Sequence, residues 1–498
     1  MGIVLKQSFK NTIFIYLGFL VGGINTLFLY TRFLEDTYYG LVTFLLATSN
    51  LIMPLIAFGI NHTIVKFYSS YFTKVEQDKF LSSVLFLPLL IAIPLGYLGG
   101  VFYEEISSYL SVENPIIKDY TFIIYLVAFT CAYFEVFYAW AKVQLHSVFG
   151  NILKELWNRV VVMLLLFAVY FQFITKPEFI YYLTGFYFLR MFVMMIYAFR
   201  LYFPKITLTF PSNYKEVLRF SGYIILAGSA GAIILDIDKF MIPGKEAISV
   251  AAYYSVAVFI GSFIEAPSRA MLNILQPLTS KTLNEDNIKE VASLYKKSSI
   301  NLLLISGFFF VLINANITEL FKLLPKNYAG GELVVFMISF LKMYNGFLGN
   351  NGAIINNSKF YRITLPISVA MAFSVYFLNK LFYYELDFGT NGLALATLIV
   401  IFTANTFKLY FVNKKFSITP FTNKTFKMLM IILGIYVAFN FWDFPINDIY
   451  FYKIPIHPIL NIALKSAIII PLYLYLIIKL DISPEIQNLI KRFTKSNL

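Results

Sequence analysis

Phe199-Arg200-Leu201-Tyr202-Phe203 returns as Phe407-Lys408-Leu409-Tyr410-Phe411, about 208 positions further along. Each copy closes a long apolar segment with one basic residue among aromatics. Other features recur at nearly the same offset. Arg32-Phe33 with Glu35, Tyr38 and Tyr39 is echoed by Lys239-Phe240 with Glu246, Tyr253 and Tyr254. Pro54, deep in the second apolar segment, is echoed by Pro267 in the eighth. A membrane chain built of two parallel six-helix halves implies a transporter whose halves rock about a central cavity.

The composition agrees with immersion in lipid. The 498 residues are 59% hydrophobic and 13% charged, with a mean hydropathy of +0.72, whereas a soluble domain carries about 25% charged residues. About fourteen apolar stretches can be drawn, most of them about 18 to 25 residues long, enough to cross a hydrocarbon core of about 30 Å. They cover 9–32, 38–60, 80–102, 116–140, 152–172, 178–200, 216–236, 250–275, 298–317, 331–352, 362–380, 391–412, 425–442 and 458–479. The expected fold is an all-α integral membrane protein with about fourteen transmembrane helices. Two six-helix lobes related as parallel repeats, 1–207 and 208–420, are followed by two appended helices and a tail, 421–498.

Basic residues alternate from loop to loop. Lys6, Lys10, Lys66, Lys74, Lys142, Lys154, Arg200, Lys205, Lys281, Lys359, Lys414, Lys424 and the tail Lys491, Arg492 and Lys495 share one side. Roughly 27 of the 40 Lys and Arg fall there and about 9 opposite, which makes that side cytoplasmic and both termini cytoplasmic. Opposite loops are acidic or mixed, as in Glu35-Asp36, Glu104-Glu105, Asp443 and Asp448. The net charge of +13 is therefore mostly topology and membrane-lipid contact, not evidence for nucleic acid. The single Cys131 excludes an intramolecular disulfide, and His62, His146 and His457 show no metal-ligand spacing. The first apolar run is long and lacks a small-residue cleavage site, so it is expected to stay as a membrane helix.

No loop exceeds about 25 residues, too short for a folded soluble domain. The Pro204–Lys215 link divides the halves, and the polar stretch from Lys281 to Lys297 reads as a short amphipathic helix. Gly18, Gly22 and Gly23 in the first helix, and Gly228, Ser229 and Gly231 in the seventh, allow close helix approach or bending. Pro54, Pro88, Pro94 and Pro267 should kink their helices.

Charges at membrane depth cost about 2.5 to 3.5 kcal/mol each on insertion scales, so they face a cavity or a partner. Arg190, Lys342 and Lys465 lie deepest, with Arg32, Arg269 and Arg159 nearer the ends. The acids are Glu135, Asp236, Asp238 and Glu265. Basic groups predominate at the deepest positions, and a cavity lined this way attracts an anion such as a phosphate or pyrophosphate. Substrate-binding candidates are therefore Arg190, Lys342, Lys465, Arg269 and Arg32. Plainer readings stand beside them. Lys465 can snorkel to the nearer face, Arg269 can pair with Glu265 four residues earlier, and Arg190 and Lys342 can form a buried structural pair. Asp236-Ile237-Asp238 has the spacing of a metal-binding sugar-transferase motif, and Glu35-Asp36 stands where some membrane glycosyltransferases keep an acid. Such enzymes add a long outer loop or domain, and none fits here. No catalytic residue, metal site or cofactor is assigned.

The opening Lys6-Gln7-Ser8-Phe9-Lys10-Asn11-Thr12, the turn from Arg32 through Glu35, Tyr39 and Gly40 to Leu41, and Phe58-Gly59 with Lys66-Phe67 resemble bacterial polysaccharide (O-antigen) flippases. So do Asp238-Lys239-Phe240 and Tyr253-Tyr254-Ser255 ahead of Ala266-Pro267. The resemblance covers nearly the whole chain and extends to a superfamily that includes multidrug and toxin extruders and lipid II flippases. It implies alternating access in the bacterial plasma membrane. A polyprenyl-pyrophosphate-linked oligosaccharide would cross in a cationic cavity, with its lipid tail along the last two helices. Coupling to protons, sodium or membrane potential is a property of the superfamily, with Glu135, Asp236, Asp238 and Glu265 as candidates. A polysaccharide polymerase and chain-assembly proteins are the implied partners. Rival readings are a lipid II flippase, a drug/cation antiporter, which would want an acidic cavity, and a membrane glycosyltransferase or polymerase.

Overall fold

A computed structural model of the chain describes residues 2–207, 209–444, 450–451 and 454–483. Asp448 and the basic tail Lys491, Arg492 and Lys495 lie outside the described residues. The chain is an all-α multi-pass membrane protein. Its one strand pair among the described residues is a two-residue antiparallel ladder, in which Tyr450 faces Pro455 and Phe451 faces Ile454.

Ten helices among the described residues are long and apolar enough to cross a membrane. They are α1 (Asn11–Phe33), α2 (Asp36–Ile56), α3 (Lys74–Val101), α4 (Pro115–Val143), α6 (Lys176–Leu201), α7 (Tyr214–Gly244), α9 (Ile288–Lys322), α11 (Tyr361–Glu385), α12 (Gly389–Phe416) and α14 (His457–Lys479). The other four expected spans are helical too, as α5 (Asn158–Tyr170), α8 (Ser249–Ser262), α10 (Glu332–Phe347) and α13 (Asn423–Asn440). α5 continues Ser147–Ile152 through a π turn at Leu153–Trp157, whereas the next two are pieces of broken segments: Glu265–Asn284 follows α8, and Asn351–Asn356 follows α10.

Proline and glycine set several of these breaks. Two residues after Pro54, α2 ends, and left-handed Phe58 (φ 53) and Gly59 (φ 63) turn the chain into the short helix Ile60–Phe67. A Cβ on Gly59 would stand 2.7 Å from the Ser221 carbonyl oxygen, so glycine serves both the turn and the close approach. The kink expected at Pro267 is a full interruption. Helix stops at Ser262 and resumes at Glu265, leaving the proline in a first turn, where its missing N–H costs little. The stretch from Lys281 to Lys297 is not a separate helix. Glu265–Asn284 runs into it, left-handed Asp286 (φ 51) reverses the chain, and Asn287 caps α9 by accepting the Glu290 N–H at 3.1 Å. Of the two glycine-rich helices, α1 holds a wide π turn at Asn25–Leu29, whereas Tyr214–Met241 is unbroken helix. Gly228 there serves close packing: its added Cβ would lie 3.3 Å from Pro54.

Two compact units emerge from the contacts, Met1–Ser255 with Leu365–Leu393, and Val256–Thr364 with Ala394–Leu498. In the first unit, Phe80, Phe134, Trp140 and Met194 are buried in one aromatic-rich core. There α7 lies along α2, and Thr63 and Ser221 hydroxyls meet at 2.8 Å. Toward the other end of α2, the Tyr253 hydroxyl donates to Asp36 at 2.9 Å. In the second unit, α9 is central, and the last two helices dock onto it. Tyr473 of α14 donates to the Leu304 carbonyl at 2.6 Å, and Ile432 of α13 fills the space at Gly307.

Candidate functional site

Arg190 sits midway along α6, a helix started by a reciprocal cap in which the Thr175 N–H donates to Glu178 at 2.7 Å. Its side chain is buried (6% exposed). The guanidinium lies 4.2 Å from the Phe134 ring centroid and 4.9 Å from that of Tyr187. One nitrogen, Nη2, donates to the Cys131 sulfur at 3.4 Å, while Nε is buried with no hydrogen-bond partner. Among the described residues Arg190 makes no ion pair, so its charge is held by rings and a thiol. One turn after Cys131, Glu135 is taken by Lys154 at 2.6 Å.

The two aspartates of α7 are used differently. Asp236 pairs with Lys239 at 2.8 Å and accepts from Asn50 at 3.1 Å. Asp238 is buried, accepting from the Tyr254 hydroxyl at 2.6 Å and from Asn379 Nδ2 at 2.7 Å. The Asn379 Oδ1 is itself buried without a hydrogen-bond partner. Arg32 is exposed, on the rim of a cavity of about 680 Å³ that also contains Tyr38, Glu35 and Lys176, the last two paired at 2.8 Å.

In the second unit, Lys342 of α10 is ion-paired with Glu265. Two residues expected in different roles thus neutralise one another, and Arg269, half-buried, follows Glu265 by one turn. Lys465 of α14 is 2% exposed, yet its ammonium reaches Asp443 at 2.6 Å and donates to the Ala315 carbonyl at 2.9 Å. An open apolar groove of about 600 Å³ runs between α13 and α14, lined by Phe426, Met430, Gly434, Leu472 and Leu476. Among the described residues no group of three or more His, Cys, Asp or Glu is placed to hold a metal ion. Sequence reasoning missed Lys154, Tyr254, Asn379 and Asp443, the partners that decide which charges are spent. Asn379 gave a signal, as an amide within an apolar helix.

No curated protein matches the chain in sequence. Among solved structures, the chain is similar to the lipid II flippase MurJ in an inward closed conformation, at 15% identity and a TM-score of 0.68, covering 94% of this chain and 97% of that one. It is similar also to an inward-facing multidrug resistance MATE family transporter of the MOP superfamily (13% identity, TM-score 0.63, 82% and 98% covered). A MOP superfamily transporter from Pyrococcus furiosus gives 13% identity and a TM-score of 0.57 over 83% and 95%. These likenesses show that the chain shares the fold of those structures. The sequence model of the polysaccharide biosynthesis protein family matches residues 8–282, more than half of the chain, and the chain belongs to that family.

Proposed function

We propose that this chain is a flippase that carries a prenyl-diphosphate-linked saccharide from the cytoplasmic to the outer leaflet by alternating access, for cell-surface polysaccharide synthesis. The observation that carries the reading is Arg190, a buried guanidinium with an unused donor and no ion-paired carboxylate, since the nearby Glu135 is taken by Lys154. A diphosphate would supply the missing anion, because guanidinium–phosphate bonds are short and charge-assisted. A drug/cation antiporter would want the opposite sign there. Lys342, Arg269, Lys465 and Arg32 are secondary candidates, since Lys342 and Lys465 already hold acids. The groove between α13 and α14 suits the prenyl chain. In this reading the chain crosses the bacterial plasma membrane fourteen times with both termini cytoplasmic, and its lobes are 1–207 and 208–420, followed by the appended 421–498. A polymerase and chain-assembly proteins would act on the delivered unit.

Between saccharide substrates, the full-length likeness to the lipid II flippase favours lipid II over an oligosaccharide repeat unit, while the family favours polysaccharide assembly. Both carry the same prenyl diphosphate, so the role of Arg190 is common to them. Coupling falls best to Asp238. Its carboxylate, buried with Tyr254 and the unpartnered Asn379 carbonyl, offers oxygen ligands to a sodium ion or a site for a proton, and Glu135, Asp236 and Glu265 remain the other candidates.

Mass spectrometry of prenyl-linked saccharides in a strain lacking the protein tests the reading. Build-up of completed units with loss of outer polysaccharide supports it, and build-up of lipid II selects the second substrate. Units short by one sugar would instead indicate a glycosyltransferase.

A further inference from the structure

Two cavities of the first unit, between α7 and α11, share one residue. The first, about 280 Å³, is apolar and runs along Leu226, Ile233 and Ile237 of α7 and Val369, Ala372 and Phe373 of α11, ending at Tyr376. The second, about 440 Å³, begins at the same Tyr376 and is bounded by Lys380, Tyr384, Tyr109 and Glu113 over a floor that includes Phe44 and Met241. Along α11, Phe373, Tyr376, Lys380 and Tyr384 recur at three- and four-residue spacing and so share a face. That face changes from hydrocarbon to aromatic to cationic to phenolic within one helix. From Val369 to Tyr376 it rises about 10 Å, and from Tyr376 to Tyr384 about 12 Å.

We propose that this paired cavity is a docking site for a prenyl-phosphate-linked saccharide, with the prenyl chain along α7 and α11, the phosphate at Lys380, and the sugar between Tyr109, Tyr376 and Tyr384. It rests on the function proposed above and adds a second station to the carrier's route, at the end of α11 that faces outward in that topology. The polarity order of the groove matches the order of such a molecule: hydrocarbon, anion, then rings with apolar faces and hydroxyl edges.

The polar half is built rather than incidental. At Lys380–Glu385 the helix widens into a π turn, a local irregularity that recurs at functional sites. Tyr384 is held by donating its hydroxyl to the Met241 carbonyl at 2.8 Å, so its ring is a fixed wall. The neighbouring segment is pinned by Asn114, which donates to the Pro243 and Glu246 carbonyls at 2.8 and 2.9 Å and accepts the Ile248 N–H at 2.8 Å. Tyr109 (78% exposed) and Tyr376 (45% exposed) leave ring surface open for stacking. Lys380 and Glu113 are exposed and make no ion pair among the described residues, so both remain available to a ligand. A cavity of this size holds about two sugar rings.

The test uses the full chain in lipid nanodiscs and geranyl-diphosphate-linked N-acetylglucosamine as probe, read by saturation-transfer NMR titration. Wild type should bind it, Tyr376→Ala and Lys380→Ala should weaken binding about tenfold or more, and Tyr376→Phe should retain it. Geranyl diphosphate without the sugar should bind several-fold more weakly than the full probe. Equal binding by wild type and both variants would overturn the site. So would equal binding of the sugarless probe, which would mark a plain lipid pocket. Cellular accumulation of unflipped lipid-linked saccharide is read separately: normal accumulation with lost tyrosine dependence ends this site and leaves the function. Tyrosine-dependent binding without accumulation does the reverse.

Discussion

Arg190 on α6 and Lys342 on α10 are alike in the sequence, single cations deep in apolar segments, and opposite in their surroundings. The first unit holds Arg190 between Phe134 and Tyr187 without an ion pair, the nearby Glu135 being bound to Lys154; the second gives Lys342 the Glu265 carboxylate. Lys465, in the same second unit, is likewise spent on Asp443. A cation held by rings retains most of its attraction for an anion, because the ring quadrupole contributes about 0.5 to 2 kcal/mol and accepts no proton. A cation held by a carboxylate must first lose that partner. The lesson is that charge count in a membrane helix overstates what a substrate can use.

The comparison breaks first at Arg190. Arg190→Ala should cut transport of the lipid-linked saccharide about tenfold or more, since a charge-assisted hydrogen bond is worth about 1.5 to 3 kcal/mol. Thermal stability should fall by about 1 to 2 kcal/mol from the lost ring contacts, so transport is compared at equal amounts of folded protein. A folded Arg190→Ala protein with full transport would end the assignment. Next in size, Asp443→Ala should destabilise the second unit by about 2 kcal/mol, as it strands the buried Lys465 ammonium; the half-exposed acid keeps the figure below that of a fully buried pair. Thermal unfolding in detergent measures it, and Lys465→Met together with Asp443→Ala should recover most of the loss. The Lys342→Met, Glu265→Gln double variant should change stability by about 1 kcal/mol or less and transport less than Arg190→Ala does. A larger transport defect there would move the anion site into the second unit. Smallest of all, Cys131→Ala removes one weak acceptor from Arg190 and should alter transport by about twofold or less.

Much of the fold was legible because lipid imposes a length and a composition on every crossing. Pro54 and Pro267 were read as kinks within the spans 38–60 and 250–275, since a proline constrains the backbone wherever it sits, but the helices end there at Ile56 and Ser262. Their form was not legible: whether a proline bends a helix or ends it depends on what packs nearby, as Ser221 does at Gly59. The expected amphipathic helix from Lys281 to Lys297 failed for a local reason, the Asn287 cap that starts α9. At the candidate sites, the residue types were found and their pairing was not. Lys154 is close enough to Glu135 for a guess, but Asn379 reaches Asp238 and Asp36 meets Tyr253 across more than a hundred residues.

What the sequence determined by itself is immersion in the membrane, helices as its material, and an excess of positive charge at depth. These follow from hydropathy and from the cost of unpaired backbone in hydrocarbon, which act on any segment alone. What only the tertiary structure decided is which of those charges remain available. Ion pairs and ring contacts act over a few ångströms between helices remote in sequence, so neutralisation of Lys342 and Lys465, and the burial of Arg190 among rings without an ion pair, are properties of packing.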